Sequence, residues 1–459
     1  MLSKWVMETS SEICPLEWRY GSKEMRKLFS REEIMRRRLE VEVALTYGLA
    51  KAGIIEEWIP KKIEESASKV TIERIDELEL KLGHDIMALA TALSEVSGEA
   101  GKYVHLGATS YDIVDTAWSL IIRDALKIIE RKLVEIIKKL IKYSLEYKDT
   151  LMIGRTHGQH ALPITLGFKF ANYVYEFSRS LERIIEMKNR LIKGKISGAV
   201  GTMASWKDKG IIVEEETLRR LNLKPHEIST QIAPRDGFAE LTSNMAILGS
   251  QLDRLAIEIR ELMRPEISEL AEGVGRRVGS STMPQKANPV TSEKICGLAK
   301  VLRSQVIISL ENIPLWHERD LTNSSSERFL ISHTLLTIDE MLNSMIEVLD
   351  NLVINKERMR SNIGITKGTV MSENVMIKLV EKGLARTEAH EILRDLTRIT
   401  QQSNLSFKEV LIKDERIRKY LSIEEIEELL KPENYLGEIN KLITRTIEYA
   451  EKIIEKIVD

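Results

Sequence analysis

Residues 239–268 read AELTSNMAILGSQLDRLAIEIRELMRPEIS. Leu241, Met245, Leu248, Leu252, Leu255, Ile259 and Leu262 follow one another in alternating steps of four and three. That spacing keeps one apolar stripe on a single side of a long helix, as in a coiled-coil seam. The same alternation runs through Leu126, Ile129, Leu133, Ile136 and Leu140, and through Phe170, Val174, Phe177, Leu181 and Ile184. It returns in Leu335, Ile338, Leu342, Met345, Leu349 and Leu352, and less strictly in Ile295, Leu298, Leu302 and Val306. About five long helices with such seams pack at shallow angles, so the pattern predicts an all-α chain built on a central helical bundle. Several of these helices carry a second apolar face, which reads as subunit contact.

Composition agrees with this class. The chain has 459 residues, 43% hydrophobic and 30% charged, with only 10 prolines and 24 glycines to interrupt helices. A net charge of −2 gives no bulk attraction for nucleic acid, so an anion site must come from a local cluster of cations. The longest run without a formal charge, Thr156–Phe168, has 13 residues and is too short to span a bilayer. Cys14 and Cys296 have no metal-ligand spacing, and the N-terminus has no secretory pattern. A cytoplasmic protein is the expectation.

The helical pattern divides the chain into an N-terminal helical domain (1–110), a central bundle domain (111–355) and a small C-terminal helical domain (356–459). Ser30 and Glu33 form a capping signal for a helix through Ala52, with Arg36, Arg37 and Arg38 on a solvated face. A second helix is expected from Thr71 through Ser94. No strand of any length is expected between the long helices.

Polar and glycine-rich interruptions mark where chemistry can sit. They are GKYVHLGATSYD (101–112), GRTHGQHALP (154–163), GVGRRVGSSTMPQKANPVTSE (273–293) and HERDLTNSSSER (317–328). Turn-rich stretches of this density inside a helical protein read as functional loops. His157 and His160 lack a third partner at zinc-ligand spacing, whereas a loop histidine suits proton transfer near neutral pH. Gly273-x-Gly275 falls short of a dinucleotide fingerprint because no strand is expected before it.

Ser280-Ser281-Thr282-Met283-Pro284-Gln285-Lys286-Ala287-Asn288-Pro289 resembles the signature loop of the fumarase/aspartase superfamily, S-S-x-M-P-x-K-x-N-P. HLGATSYDIVDTA (105–117) and RTHGQHALP (155–163) resemble its other two shared segments. CPLEWRY (14–20), GHDIMA (83–88), ERDLTNSSSERF (318–329) and PENYLGE (432–438) are similar to segments of one branch, the adenylosuccinate lyase family.

The resemblance implies anti elimination of fumarate from adenylosuccinate, giving AMP, and from SAICAR, giving AICAR, without metal or organic cofactor. It implies a homotetramer with active sites shared between subunits. Ser280 falls at the general base and His157 at the general acid, with Lys286 and Glu293 in catalytic support. Arg19, Tyr20, His84, Asp85, His105, Thr109, Ser110, Gln231, Ser281, Met283, Asn288, Lys294, Arg319, Ser324 and Arg328 match substrate-contacting positions. Gly83 and Lys294 depart from the family pattern, Gly83 where many relatives have a larger, often basic, residue and Lys294 where some have arginine. Argininosuccinate lyase and a silent, crystallin-like relative are the competing readings; the segments flanking the signature loop disfavour the first and the retained serine pair, His157 and Lys286 the second.

Overall fold

The computed structural model describes residues 13–273, 283 and 286–458. Ser280 and Ser281 lie outside the described residues. The architecture is helical, and the long elements are Ser110–Glu146, Leu166–Leu191, Asp236–Met263, Val290–Glu311 and Thr322–Asp350. The longest has 37 residues, about 55 Å at 1.5 Å per residue. The seam explains these helices: from Leu241 to Leu262 none of its seven side chains is more than 2% exposed. Burial of each such side chain contributes roughly 1.5–3 kcal/mol. Among the described residues no helix is long and apolar enough to cross a membrane.

Contacts divide the chain into two compact units. The first comprises residues 1–133, 180–252 and 297–343; the second comprises 134–179, 253–296 and 344–459. In the first, Ser30 Oγ accepts from the Glu33 N–H (3.2 Å) and opens the helix Arg31–Lys51 as expected. The solvated arginine face is only partly observed. Arg36 is exposed, but Arg37 pairs with Glu33, Glu40 and Asp124, and Arg38 turns toward Asp85. The helix expected from Thr71 through Ser94 is two helices, Ile72–Leu82 and Asp85–Val96. Gly83 separates them at φ +65, a left-handed helix cap that glycine adopts without strain. No atom lies within 4 Å of where a Cβ would be, so backbone conformation, not space, explains glycine at this departure from the family pattern.

The second unit contains a β-hairpin where the sequence suggested only a loop. Leu151–Thr156 pairs antiparallel with Gln159–Thr165, with an irregularity between Ile153 and Arg155. Ile153 is fully buried against Ile363, Val370 and Met371, which anchors the hairpin base. A three-residue strand, Leu270–Glu272, also precedes Gly273 and pairs antiparallel with Leu352–Ile354. That strand was not expected, and it takes Leu352 out of the helical seam. The pairing is antiparallel, so it is not the parallel βαβ unit that dinucleotide binding requires. C-terminal helices close around Phe407, and Ile439, Ile443 and Ile447 of the last helix pack on Ala171.

Candidate active site

Sequence-distant segments meet in the first unit at a cavity of about 390 Å³. His84, Asp85, Ser110, Arg319, Ser324 and Arg328 line it, together with Arg38 and Tyr111. The local reasons are simple. Gly83 ends one helix, and His84 caps the next by accepting the Met87 N–H at Nδ1 (3.3 Å). With Nδ1 an acceptor, the neutral imidazole carries its proton on Nε2, which stands 3.3 Å from Ser110 Oγ. Asp85 accepts from the Ile86 N–H (2.9 Å) and from Arg38 Nη1 (3.2 Å), while Arg328 Nη2 stands 3.6 Å away. Arg328 is 69% exposed, so its pairing with Asp85 contributes about 0–1 kcal/mol and is readily exchanged for an anionic ligand.

Across the cavity, Arg319 donates to Ser324 Oγ (2.8 Å) and to Gln231 Oε1 (3.0 Å). Thr109 precedes the helix that carries Ser110, and its N–H donates to Asp112 Oδ2 (2.7 Å). Asp112 is fully buried; it also accepts from the N–H groups of Ser197 and Gly198 and from Lys195 Nζ (2.6 Å). A buried carboxylate with that many donors is a rigid strut beneath the Thr109–Ser110 turn.

Five expected residues of this unit, Arg19, Tyr20, His105, Thr109 and Gln231, are not among those that line the cavity. Arg19 and Tyr20 follow the short helix Pro15–Trp18, with the exposed Arg19 guanidinium 5.8 Å from the Trp18 and Tyr20 rings. His105 is turned to the buried Glu42, 2.6 Å from Nδ1. Burial pushes the His105 pKa down, and the Glu42 carboxylate outweighs it and leaves the net shift upward.

The second unit carries the proton-transfer candidates. His157 and Gly158 form the two-residue tip of the hairpin, both with positive φ (54 and 72). That is the geometry of a type I′ hairpin turn, where a non-glycine residue is strained and its side chain is held out from the strands. His157 is exposed at this tip. Arg155, two residues earlier, forms a bidentate pair with Glu269 (2.7 and 2.8 Å), and Asn362 donates to the same carboxylate (2.7 Å). His160 Nδ1 is buried without a partner; burial and then Arg155 lower its pKa, which keeps the ring neutral.

Around the signature loop, Glu272 accepts from the Thr291 and Ser292 N–H groups (2.9 Å each) and from Ser292 Oγ (2.8 Å). It caps the first turn of the helix Val290–Glu311 from the far side of the loop, so the loop's two ends are stapled together. Gly273 is required there because a Cβ would lie 2.1 Å from the Asn351 carbonyl oxygen. Of the expected residues, Met283, Lys286 and Glu293 are exposed, and Asn288 and Lys294 are half-buried.

Arg38, Tyr111 and Glu272 escaped the sequence reading. Arg38 sits in a three-arginine run that resembles a solvated face, and Tyr111 is one aromatic beside the motif serine. Glu272 caps a helix that begins 18 positions later, beyond any local capping signal.

Comparisons with known proteins identify the family. Residues 19–303 match the family described as Lyase, and residues 368–446 match the one described as Adenylosuccinate lyase C-terminus. The adenylosuccinate lyase of Pyrococcus horikoshii is 47% identical over 96% of this chain and 98% of its own length. That of Archaeoglobus fulgidus is 43% identical over 96% of this chain and 100% of its own. Among solved structures, a fumarate lyase from Mesorhizobium sp. BNC1 has a TM-score of 0.87 at 33% identity, covering 93% of this chain and 98% of that one. A 3-carboxy-cis,cis-muconate lactonizing enzyme from Pseudomonas putida has a TM-score of 0.86 at 29% identity, covering 95% and 98%. The family matches take in the segments that supply His84, His157 and the signature loop and resume at residues 368–446, and the chain belongs to the adenylosuccinate lyase family of the fumarase/aspartase superfamily.

Proposed function

We propose that the chain cleaves adenylosuccinate to AMP and fumarate, and SAICAR to AICAR and fumarate, in purine nucleotide biosynthesis. The observation that carries this reading is the cavity itself: three arginines, a histidine and three serines from four separate segments line one space, with Glu79, Asp85 and Glu327 among them. A substrate with a phosphate and two carboxylates needs such a set of cations and hydroxyls, and guanidinium forks fit both groups.

In the reaction, Ser280 Oγ removes a proton from the succinyl Cβ. The electron pair of that C–H bond becomes the new carbon–carbon double bond as the Cα–N bond breaks. His157 donates a proton to the departing nitrogen, so fumarate leaves with no external oxidant or cofactor. Negative charge that builds on the adjacent carboxylate needs fixed donors at the moment it forms. Lys286 supplies a cation for it and for lowering the Ser280 hydroxyl pKa, each unit of which is worth about 1.4 kcal/mol. Glu293 supports the same step from the first turn of its helix. Arg19, Tyr20, His84, Asp85, His105, Thr109, Ser110, Gln231, Ser281, Met283, Asn288, Lys294, Arg319, Ser324 and Arg328 hold the substrate.

The reading also includes a homotetramer whose sites are shared between subunits, in the cytoplasm, with the chain organised as 1–110, 111–355 and 356–459. Exposed apolar side chains on the long helices, among them Val301, Ile307 and Leu310, support oligomer contacts. The test is an absorbance assay with purified protein. Adenylosuccinate is consumed, argininosuccinate is not, and Ser280→Ala lowers turnover about 10²–10⁴-fold. A Ser280→Ala rate near that of the parent would show that the base is another residue.

A further inference from the structure

We infer that Tyr111 is a positioning residue, which holds Arg319 and Ser324 in the geometry that receives the anionic end of the nucleotide. The identity of that ligand rests on the lyase reading above; the geometry does not. Tyr111 is 9% exposed, and its hydroxyl oxygen is 2.5 Å from Ser324 Oγ, 213 positions away in the chain. The Arg319 guanidinium carbon lies 3.8 Å from the centre of the Tyr111 ring, and the same guanidinium donates to Ser324 Oγ at 2.8 Å. Tyrosine, arginine and serine therefore close a triangle of mutual contacts at the edge of the cavity.

The back of the triangle is fixed as well. Arg235, 5.5 Å from the Tyr111 ring, is held by Asp115 and Glu327 in the core of the unit. The ring cannot retreat without disturbing that buried ion network.

Two consequences follow for binding. An arginine already stacked on an aromatic face loses less rotamer freedom when an anion arrives. The second concerns the direction of the serine proton. Ser324 Oγ has two lone pairs; Arg319 takes one, and the Tyr111 O–H takes the other when it donates. The serine's own hydrogen is then the group left over, a donor suited to an anionic oxygen. Tyr111 thereby sets the polarity of Ser324 as well as the place of Arg319.

The test compares the full-length Tyr111→Phe and Tyr111→Leu enzymes with the parent. KM and kcat are measured for adenylosuccinate, and inhibition constants for AMP and for fumarate. Tyr111→Phe keeps the ring beneath Arg319 and loses only the hydroxyl. It should raise KM and the AMP inhibition constant about 3- to 10-fold, with kcat changed less than about twofold and fumarate inhibition unmoved. Tyr111→Leu removes the ring too, and AMP should weaken about 10- to 100-fold. Unchanged AMP inhibition in Tyr111→Phe, or equal weakening of AMP and fumarate, would overturn the assignment. If the leucine variant does not fold, the phenylalanine variant alone decides. A parent enzyme that neither binds AMP nor cleaves adenylosuccinate would instead defeat the lyase reading, so the two failures look different.

Discussion

The cavity of the first unit and the hairpin tip of the second are built on opposite plans. Around the cavity nearly every polar group already has a partner: His84 with Met87 and Ser110, Asp85 with Arg38, and Arg319 with Gln231 and Ser324. At the hairpin tip, His157 is exposed on a strained turn, and the ordered partners lie two residues before it, where Arg155 meets Glu269. The difference has a physical basis. Groups that bind a ligand gain from preorganisation, because the cost of ordering them is met before the ligand arrives. In the proposed reaction His157 moves a proton, a role that asks for a fixed backbone and a side chain held out toward the reacting atom.

Removal of one buried anchor from each region would sharpen that contrast. Lys195 and Asp112 are both fully buried, and Lys195→Met leaves the carboxylate with only backbone N–H groups. A loss of about 3–5 kcal/mol in stability is expected, read by denaturant unfolding, with weaker AMP inhibition in whatever folds. Arg155→Met leaves Glu269 with Asn362 as its side-chain partner, and about 3 kcal/mol should be lost. Here kcat should fall more than AMP affinity does. If both variants changed kcat and AMP affinity in the same proportion, the division of labour between the two regions would be wrong.

A smaller effect comes from Glu214, 8% exposed, whose pKa burial raises to about 7. The folded state holds this proton more tightly than the unfolded state, whose carboxyl titrates near 4.5. Its contribution is therefore fully present below pH 4.5 and lost as pH rises toward 7. Glu214→Gln should stabilise the protein at pH 8, by at most about 3 kcal/mol, and by almost nothing at pH 4.5. Thermal melts at the two pH values check it, and an equal gain at both would contradict the titration. Smallest of all, Gly83→Ala forces a Cβ into a left-handed cap and should cost about 1 kcal/mol. AMP affinity should fall modestly with it, because His84 is the next residue.

Much of this was legible in the sequence, and the reasons are specific. The heptad seams identified the five long helices because each apolar position is repeated several times over, and a single misread residue does not erase the period. The signature loop was legible because its residue types are unusual together. The hairpin around His157 was not: two strands of six and seven residues are short, and glycine and proline hid their alternation. The break at Gly83 looked like a tolerated helical glycine, since nothing local reveals a left-handed backbone. Arg38, Tyr111 and Glu272 acquire their roles only through partners 47, 213 and about 20 positions away. Tertiary contacts of that range leave no periodic trace.

The central claim is that binding is prebuilt in one region while proton transfer is presented from another, and His157→Ala tests it most directly. Adenylosuccinate affinity and single-turnover cleavage should be measured on the same folded preparation. The account predicts a dissociation constant within about threefold of the parent and cleavage slowed at least about 10²-fold. Cleavage near the parental rate, or a loss of binding as large as the loss of rate, would contradict it.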